Sequence, residues 1–316
     1  MTSPKFLLAM RIYVYILIAG IVSISCASKE GEKRQITVNA DAVIDTAQMI
    51  QDLRILSADD MGGRRTGTVG SAKAQAYLIG RLENLEVPGY KGSHSHQFTF
   101  INREEQEMWG TNIIGYVQGR TDSMIVITAH FDHLGNREGE IYNGADDDAS
   151  GTAAVLAFAD FFNQNQPYHS MVFALFDAEE MGLRGARAFV EDEDMLAKVK
   201  MNINLDMVGN SLVNELYAAG TYHHPQFKPI LEGIEKEGEL NLLFGHDTPE
   251  EGYNDWTTAS DHGPFHQKGV PFIYFGVEDH EHYHKPSDDF ETIPLPFYKA
   301  SAQTILNAIL AFDAQL

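Results

Sequence analysis

Four short, nearly continuous apolar runs limit what this chain can fold into: "MIVITAH" (124–130), "SMVFALF" (170–176), "MNINLDMV" (201–208) and "PFIYFG" (271–276). Short apolar runs of this length read as buried strands, as parallel sheets require, and "MNINLDMV" is read with them although asparagines alternate through it. Between the first two, Val155, Phe158, Ala159 and Phe162 recur at helical spacing. Strand, helix, strand in that order is the signature of an α/β fold. "FYKASAQTILNAILAFDAQL" predicts a C-terminal packing helix, while "DAVIDTAQMIQDLRIL" and "GSAKAQAYLIGRLENL" predict two amphipathic helices around the turn-rich "SADDMGGRRTGTVG". There is no internal repeat, low-complexity tract or proline-rich linker, so the expectation is a single α/β domain over residues 41–316.

The first residues belong to a different kind of segment. Lys5 and Arg11 precede "IYVYILIAGIVSIS", which has the charge, length and position of a secretory signal and is short for a membrane span. Residues 1–26 are therefore expected to be an export signal and 27–40 a flexible tether. The single cysteine, Cys26, follows Ser23, Ile24 and Ser25, similar to a lipoprotein cleavage box except that Ser23 stands where an aliphatic residue is usual. Lipidation of Cys26, giving a membrane tether, and ordinary signal cleavage both stay open, as do the envelope, periplasm and exterior as destinations. One cysteine permits no internal disulfide. The balance of 23 basic and 45 acidic residues gives a formal charge of −22, which repels nucleic-acid phosphates and draws cations.

In open α/β sheets ligands bind beyond the carboxyl ends of the strands, and the unusual residues collect there. The first run ends at His130, followed by Asp132; the second leads into Asp177, Glu179 and Glu180; the third delivers Asp206. "NGADDDASGTAAV" places Asp146, Asp147 and Asp148 where a loop turns into a helix. Adjacent like charges repel by up to ~4 kcal/mol near 4 Å at a protein-surface dielectric, and a bound cation offsets that. Asp261 and His262, then His280, His282 and His284, follow later. Each piece has a plainer reading: a strand-end histidine can be hydrogen-bonded core, a Glu pair can be a solvated first helical turn, and His94 and His96 read as a solvated loop. Their coincidence at one sheet edge favours a divalent metal centre. Histidines beside carboxylates suit zinc and have little use in an all-oxygen calcium site.

The blocks "AHFDHLG", "NGADDDASG", "FDAEEMGLRGA", "NLDMVG" and "YHKPSD" resemble, in order and spacing, those of the two-zinc aminopeptidases of metallopeptidase family twenty-eight. The resemblance runs from about Leu56 to the C-terminus. It implies a mixed, mostly parallel twisted sheet sandwiched between helices, two zinc ions per chain and a peptide substrate. It makes Asp146 the carboxylate bridging the ions, with His130 and Asp206 on one and Glu180 and His284 on the other. It makes Glu179 the general base and Asp132 the partner that fixes the His130 tautomer. Three other readings share the fold: a one-zinc glutaminyl cyclase, a carboxypeptidase using Arg184 or Lys285 to hold a free carboxylate, and a non-catalytic receptor-like module. Neither side-chain preference nor oligomeric state is marked by any motif.

Overall fold

The computed structural model describes residues 43–316; the expected export signal, the tether and Cys26 lie outside them. The strands are β1 (Ser95–Ile101), β2 (Glu107–Val117), β3 (Thr121–His130), β4 (Gly135–Arg137), β5 (Glu140–Tyr142), β6 (His169–Phe176), β7 (Val199–Leu205), β8 (Glu215–Ala219), β9 (Asn241–Phe244) and β10 (Phe272–Gly276). The helices are α1 (Thr46–Leu56), α2 (Val69–Asn84), α3 (Gly151–Gln164), α4 (Arg184–Phe189), α5 (Glu193–Leu196), α6 (Lys228–Glu232), α7 (His262–Gln267) and α8 (Leu295–Gln315).

Eight strands form one sheet in the order β1-β2-β6-β3-β7-β10-β8-β9, with β4 and β5 as a separate hairpin. The four apolar runs supply its centre, where β6, β3, β7 and β10 pair in parallel. Antiparallel β2 joins β6 on one side and antiparallel β8 joins β10 on the other, which makes the sheet mixed.

Both faces are covered, which explains why the central strands read as continuous apolar runs. Ile125, Ile127 and Ala129 of β3 face a layer built on Leu53 of α1, Leu78 of α2, Phe158 of α3 and Ile305 of α8. Met124 and Val126 face the opposite layer, with Phe189 of α4, Met195 of α5 and Phe265 of α7. Helix α3 is buried almost all round, as expected of a helix packed between the sheet and α1. Strand order reverses between β3 and β6 on one side and β7 on the other, so the crevice for a ligand opens at the carboxyl end of β3.

Candidate metal centre

His130 closes β3 at that point, and its side chain is buried. Its Nδ1–H donates to the Asp132 carbonyl at 3.0 Å, leaving the Nε2 lone pair to face 3.2 Å from Asp147 Oδ1 and 3.4 Å from Asp206 Oδ1. That tautomer is the one a metal ligand needs. The resemblance assigns the orienting bond to the Asp132 carboxylate, but its Oδ1 lies 3.8 Å from Nδ1, too far for a hydrogen bond. Oδ1 instead accepts the Glu179 backbone N–H at 2.9 Å, and Oδ2 accepts the Thr66 hydroxyl at 3.3 Å. Asp132 thus ties the end of β3 to the loop after β6.

The three adjacent carboxylates have three different environments. Asp147 Oδ1 faces His130, whereas Oδ2 is 3.1 Å from His284 Nε2 and 3.7 Å from His133 Nδ1. Burial pushes its carboxyl up, but the imidazoles of His133, His130 and His284 outweigh this and hold it well below the usual range. Asp148 is fully buried and occupied by backbone: Oδ2 accepts the His130 N–H at 3.1 Å, and Oδ1 accepts Gly151 N–H at 2.9 Å and Met207 N–H at 3.2 Å. It therefore joins the end of β3, the start of α3 and the loop after β7.

Asp146, assigned above as the bridge, faces away from both His130 and His284. Its Oδ1 accepts Gly209 N–H at 2.7 Å and the Ser150 hydroxyl at 3.1 Å, and Oδ2 pairs with His280 Nε2 at 2.9 Å. The carboxylate standing between the two histidines is Asp147's. The reason lies in the turn: Gly144 is left-handed, and Asp147 and Asp148 leave helical geometry. Successive side chains there follow no strand or helix periodicity.

Glu179 and Glu180 open the loop after β6 and differ in company. Glu180 Oε1 lies 2.8 Å from His133 Nδ1 and Oε2 lies 3.6 Å from His284 Nε2. The half-buried Glu179 carboxylate has no hydrogen-bond or ion-pair partner among the described residues. Burial drives its pKa well up, nearby Asp261, Asp206 and Glu180 add to this, and His130 opposes it. Asp206 follows β7 and completes the side of the centre that holds His130. His284 is the most open ligand-type group, with its side chain 42% exposed and its ring stacked on Tyr283 at 4.0 Å between centroids.

His130 and Asp206 thus stand on one side of Asp147, and His284, Glu180 and His133 on the other; among the described residues, the ligand atoms that lie within 4.8 Å of one another form two groups, His130, Asp148 and Asp206, and His133, Asp147 and Glu180. The donor chemistry fits zinc, being imidazole and carboxylate with no thiolate. Burial alone lowers the His130 pKa, yet Asp206, Glu179 and Asp147 raise it well above its ordinary value, so the surroundings call for positive charge. Glu180 Oε1 is buried and without a hydrogen bond, a costly state that a cation relieves.

Other expected residues are elsewhere or differently used. His280 holds Asp146, and His282 Nδ1 meets the Ser287 hydroxyl at 3.0 Å. His262 is buried, with Nε2–H donating to the Trp256 carbonyl at 2.7 Å, and burial lowers its pKa to about 4. Asp261 is buried with both oxygens unpartnered, and burial, with Asp206 adding, raises its pKa to about 7.

Three contributors have no role in the sequence reading, although two of them lie in its motif blocks. His133 is one. Arg64, fully buried, donates to the carbonyls of Leu56, Phe131, Asn143 and Gly144, fixing the loop that leads into the acidic turn. Asp288 accepts the backbone N–H groups of Asp146 and Asp147 at 3.0 and 3.1 Å. It lies in "YHKPSDD", four residues after His284, so that block carries both a ligand-type histidine and a brace for the turn.

Comparison with known proteins agrees with this architecture. Aminopeptidase YwaD of Bacillus subtilis is 30% identical over 212 residues, covering 61% of this chain and 42% of that protein. Leucine aminopeptidase 2 of Trichophyton equinum is 26% identical over 186 residues, covering 55% of this chain and 35% of the other. The chain thus spans less than half the length of these curated relatives. A zinc aminopeptidase from Bacillus subtilis superposes with a TM-score of 0.69 at 17% identity, covering 85% of this chain and 95% of that one. Porphyromonas gingivalis glutaminyl cyclase superposes with a TM-score of 0.67 at 17% identity, covering 85% and 99%; at such identity the likeness is one of fold. The profile of peptidase family M28 matches residues 112–309, from within β2 into α8 and through every residue flanking Asp147, so this chain belongs to peptidase family M28.

Proposed function

We propose that the chain is a zinc-dependent aminopeptidase with two metal positions sharing Asp147. The observation that carries this reading is the Asp147 carboxylate, set between His130 and His284 at 3.2 and 3.1 Å, with the unpartnered Glu179 carboxylate beside them. Two divalent ions 3.5–4 Å apart need an anion between them, and such a pair supplies Lewis acidity that polarises a carbonyl and acidifies water. His130 and Asp206 would hold one ion and Glu180 and His284 the other, with Asp147 common to both.

The remaining roles fall to the protein. Glu179, bound to neither ion, takes a proton from the attacking water and passes it to the leaving amine. Asp132 positions it by holding its backbone N–H, while the Asp132 carbonyl fixes the His130 ring. The protein carries a formal charge of −22, of which two divalent ions would neutralise only part. That field draws a protonated amino terminus and repels a free carboxylate.

The direct test compares a free aminoacyl anilide with its N-acetyl form. The free amine is expected to be cleaved faster; faster cleavage of the blocked substrate, or release of ammonia from glutaminyl peptides with formation of a pyroglutamyl terminus in its place, transfers the assignment to another activity. Chelation is expected to abolish hydrolysis and added zinc to restore it. Undiminished activity in protein shown by elemental analysis to be metal-free rejects the mechanism.

Export belongs to the same proposal, with residues 1–26 as the signal, 41–316 as the peptidase domain and Cys26 as the lipid attachment point. Membrane fractionation of cells expressing the full chain and a Cys26→Ala variant tests it. Recovery of both in the same soluble fraction removes the lipid tether.

A further inference from the structure

His133, in "AHFDHLG", is the member of this centre to which the reading above gives no role. Its side chain is fully buried, with Nδ1 2.8 Å from Glu180 Oε1 and 3.7 Å from Asp147 Oδ2. Despite that proximity, neither ring nitrogen of His133 nor Glu180 Oε1 makes a hydrogen bond. Unsatisfied buried polar atoms are rare because each loses its water without replacement, and here Nδ1 and Oε1 face one another. His133 Nδ1, Asp147 and Glu180 each offer a ligand atom, all lying within 4.8 Å of one another.

The ring's place is also prepared by the backbone. Gly144 has a φ of +55°, and a Cβ there would fall 2.5 Å from His133 Cγ, so a side chain at this position would displace the imidazole. The His284 ring lies 6.0 Å away between centroids, on the same side of Asp147.

We propose that His133 is a fourth protein ligand at the Glu180 position. That position is then closed by His133, Asp147, Glu180 and His284, two nitrogens and two carboxylates. The other has three protein donors, His130, Asp147 and Asp206, and keeps an open place next to Glu179. Four protein ligands are typical of structural zinc sites and three of catalytic ones. The two positions are therefore unequal: the first zinc equivalent enters the closed one and the second enters the open one with lower affinity. The proposal rests on the two-metal reading but not on the identity of the substrate.

The test begins with full-length protein stripped by chelator and reloaded with one equivalent of zinc. X-ray absorption fine structure at the zinc edge is expected to require two imidazoles per ion, from His133 and His284; a fit with one imidazole overturns the proposal. The second arm measures zinc affinity of His133→Ala and His133→Gln by competition with a chromogenic chelator. Loss of an outer partner typically costs 10–100-fold in affinity. A fall of more than about 100-fold for the first equivalent supports direct ligation, and a smaller fall overturns it. Should neither variant fold, the absorption measurement on the unaltered protein decides. Two bound ions with two imidazoles at the first, in a protein that cleaves no aminoacyl anilide, would sink the aminopeptidase reading and leave this one standing; a protein that binds no zinc sinks both.

Discussion

Glu179→Gln is expected to lower turnover on an aminoacyl anilide by about 10²- to 10⁴-fold, the usual contribution of a positioned general base, while metal content stays at the level of the unaltered protein. Gln keeps the size of the side chain and removes only its ability to accept and return a proton. The expectation follows from the different company of the two adjacent glutamates. Glu180 is enclosed by His133 and His284 at 2.8 and 3.6 Å, whereas Glu179 has its backbone fixed by Asp132 and its carboxylate unpartnered. A group that must move a proton needs that freedom, and a ligand needs the enclosure. Glu180→Gln should accordingly lose metal. If elemental analysis instead finds metal lost from Glu179→Gln and kept by Glu180→Gln, the two roles are reversed.

A second large effect separates two neighbours in the acidic turn. Asp147→Asn is expected to remove both metal binding and hydrolysis, because one side chain serves His130 on one side and His284 on the other. Asp146→Asn should keep the metals and lose activity by no more than about 100-fold, the range for a residue acting from outside the ligand shell. Its role is to hold Gly209, Ser150 and His280, which places the loop after Asp206. Elemental analysis of the two purified variants is the deciding measurement. Retention of both ions by Asp147→Asn, with their loss from Asp146→Asn, would restore Asp146 as the bridge.

Much of this was legible in the linear chain. The central strands were, because a strand buried on both faces is mostly apolar, as β6, β10 and the second half of β3 are, while β7 buries Asn202 and Asn204 only by hydrogen-bonding them to Thr128 and Ser260. The edge to which the site belongs was legible for the same reason: once those strands run parallel, His130, Glu179, Glu180 and Asp206 must emerge at one side. The residue types announced a metal, since clustered carboxylates and imidazoles repel or lose water unless a cation joins them. The flanking strands were less visible. β1 alternates exposed and half-buried positions at a sheet edge, and β8 has only five residues, so neither shows a continuous apolar signal.

Only the tertiary structure decided which of three identical neighbours faces the centre. Side-chain direction can be counted along a strand or helix because the backbone repeats, but the Gly144–Ser150 turn has no repeat, and its course is set by partners remote in sequence. Arg64 pulls on the carbonyls of Asn143 and Gly144 from 79 and 80 positions away. Asp288 holds the N–H groups of Asp146 and Asp147 from 142 and 141 positions away. The same holds for His133: past the end of β3 the two-residue alternation stops, and the ring joins Glu180 only because the chain bends back and Gly144 leaves it room. Composition and periodicity determined the scaffold and the kind of chemistry, while long-range hydrogen bonds to the backbone determined which carboxylate and which histidine take part in it.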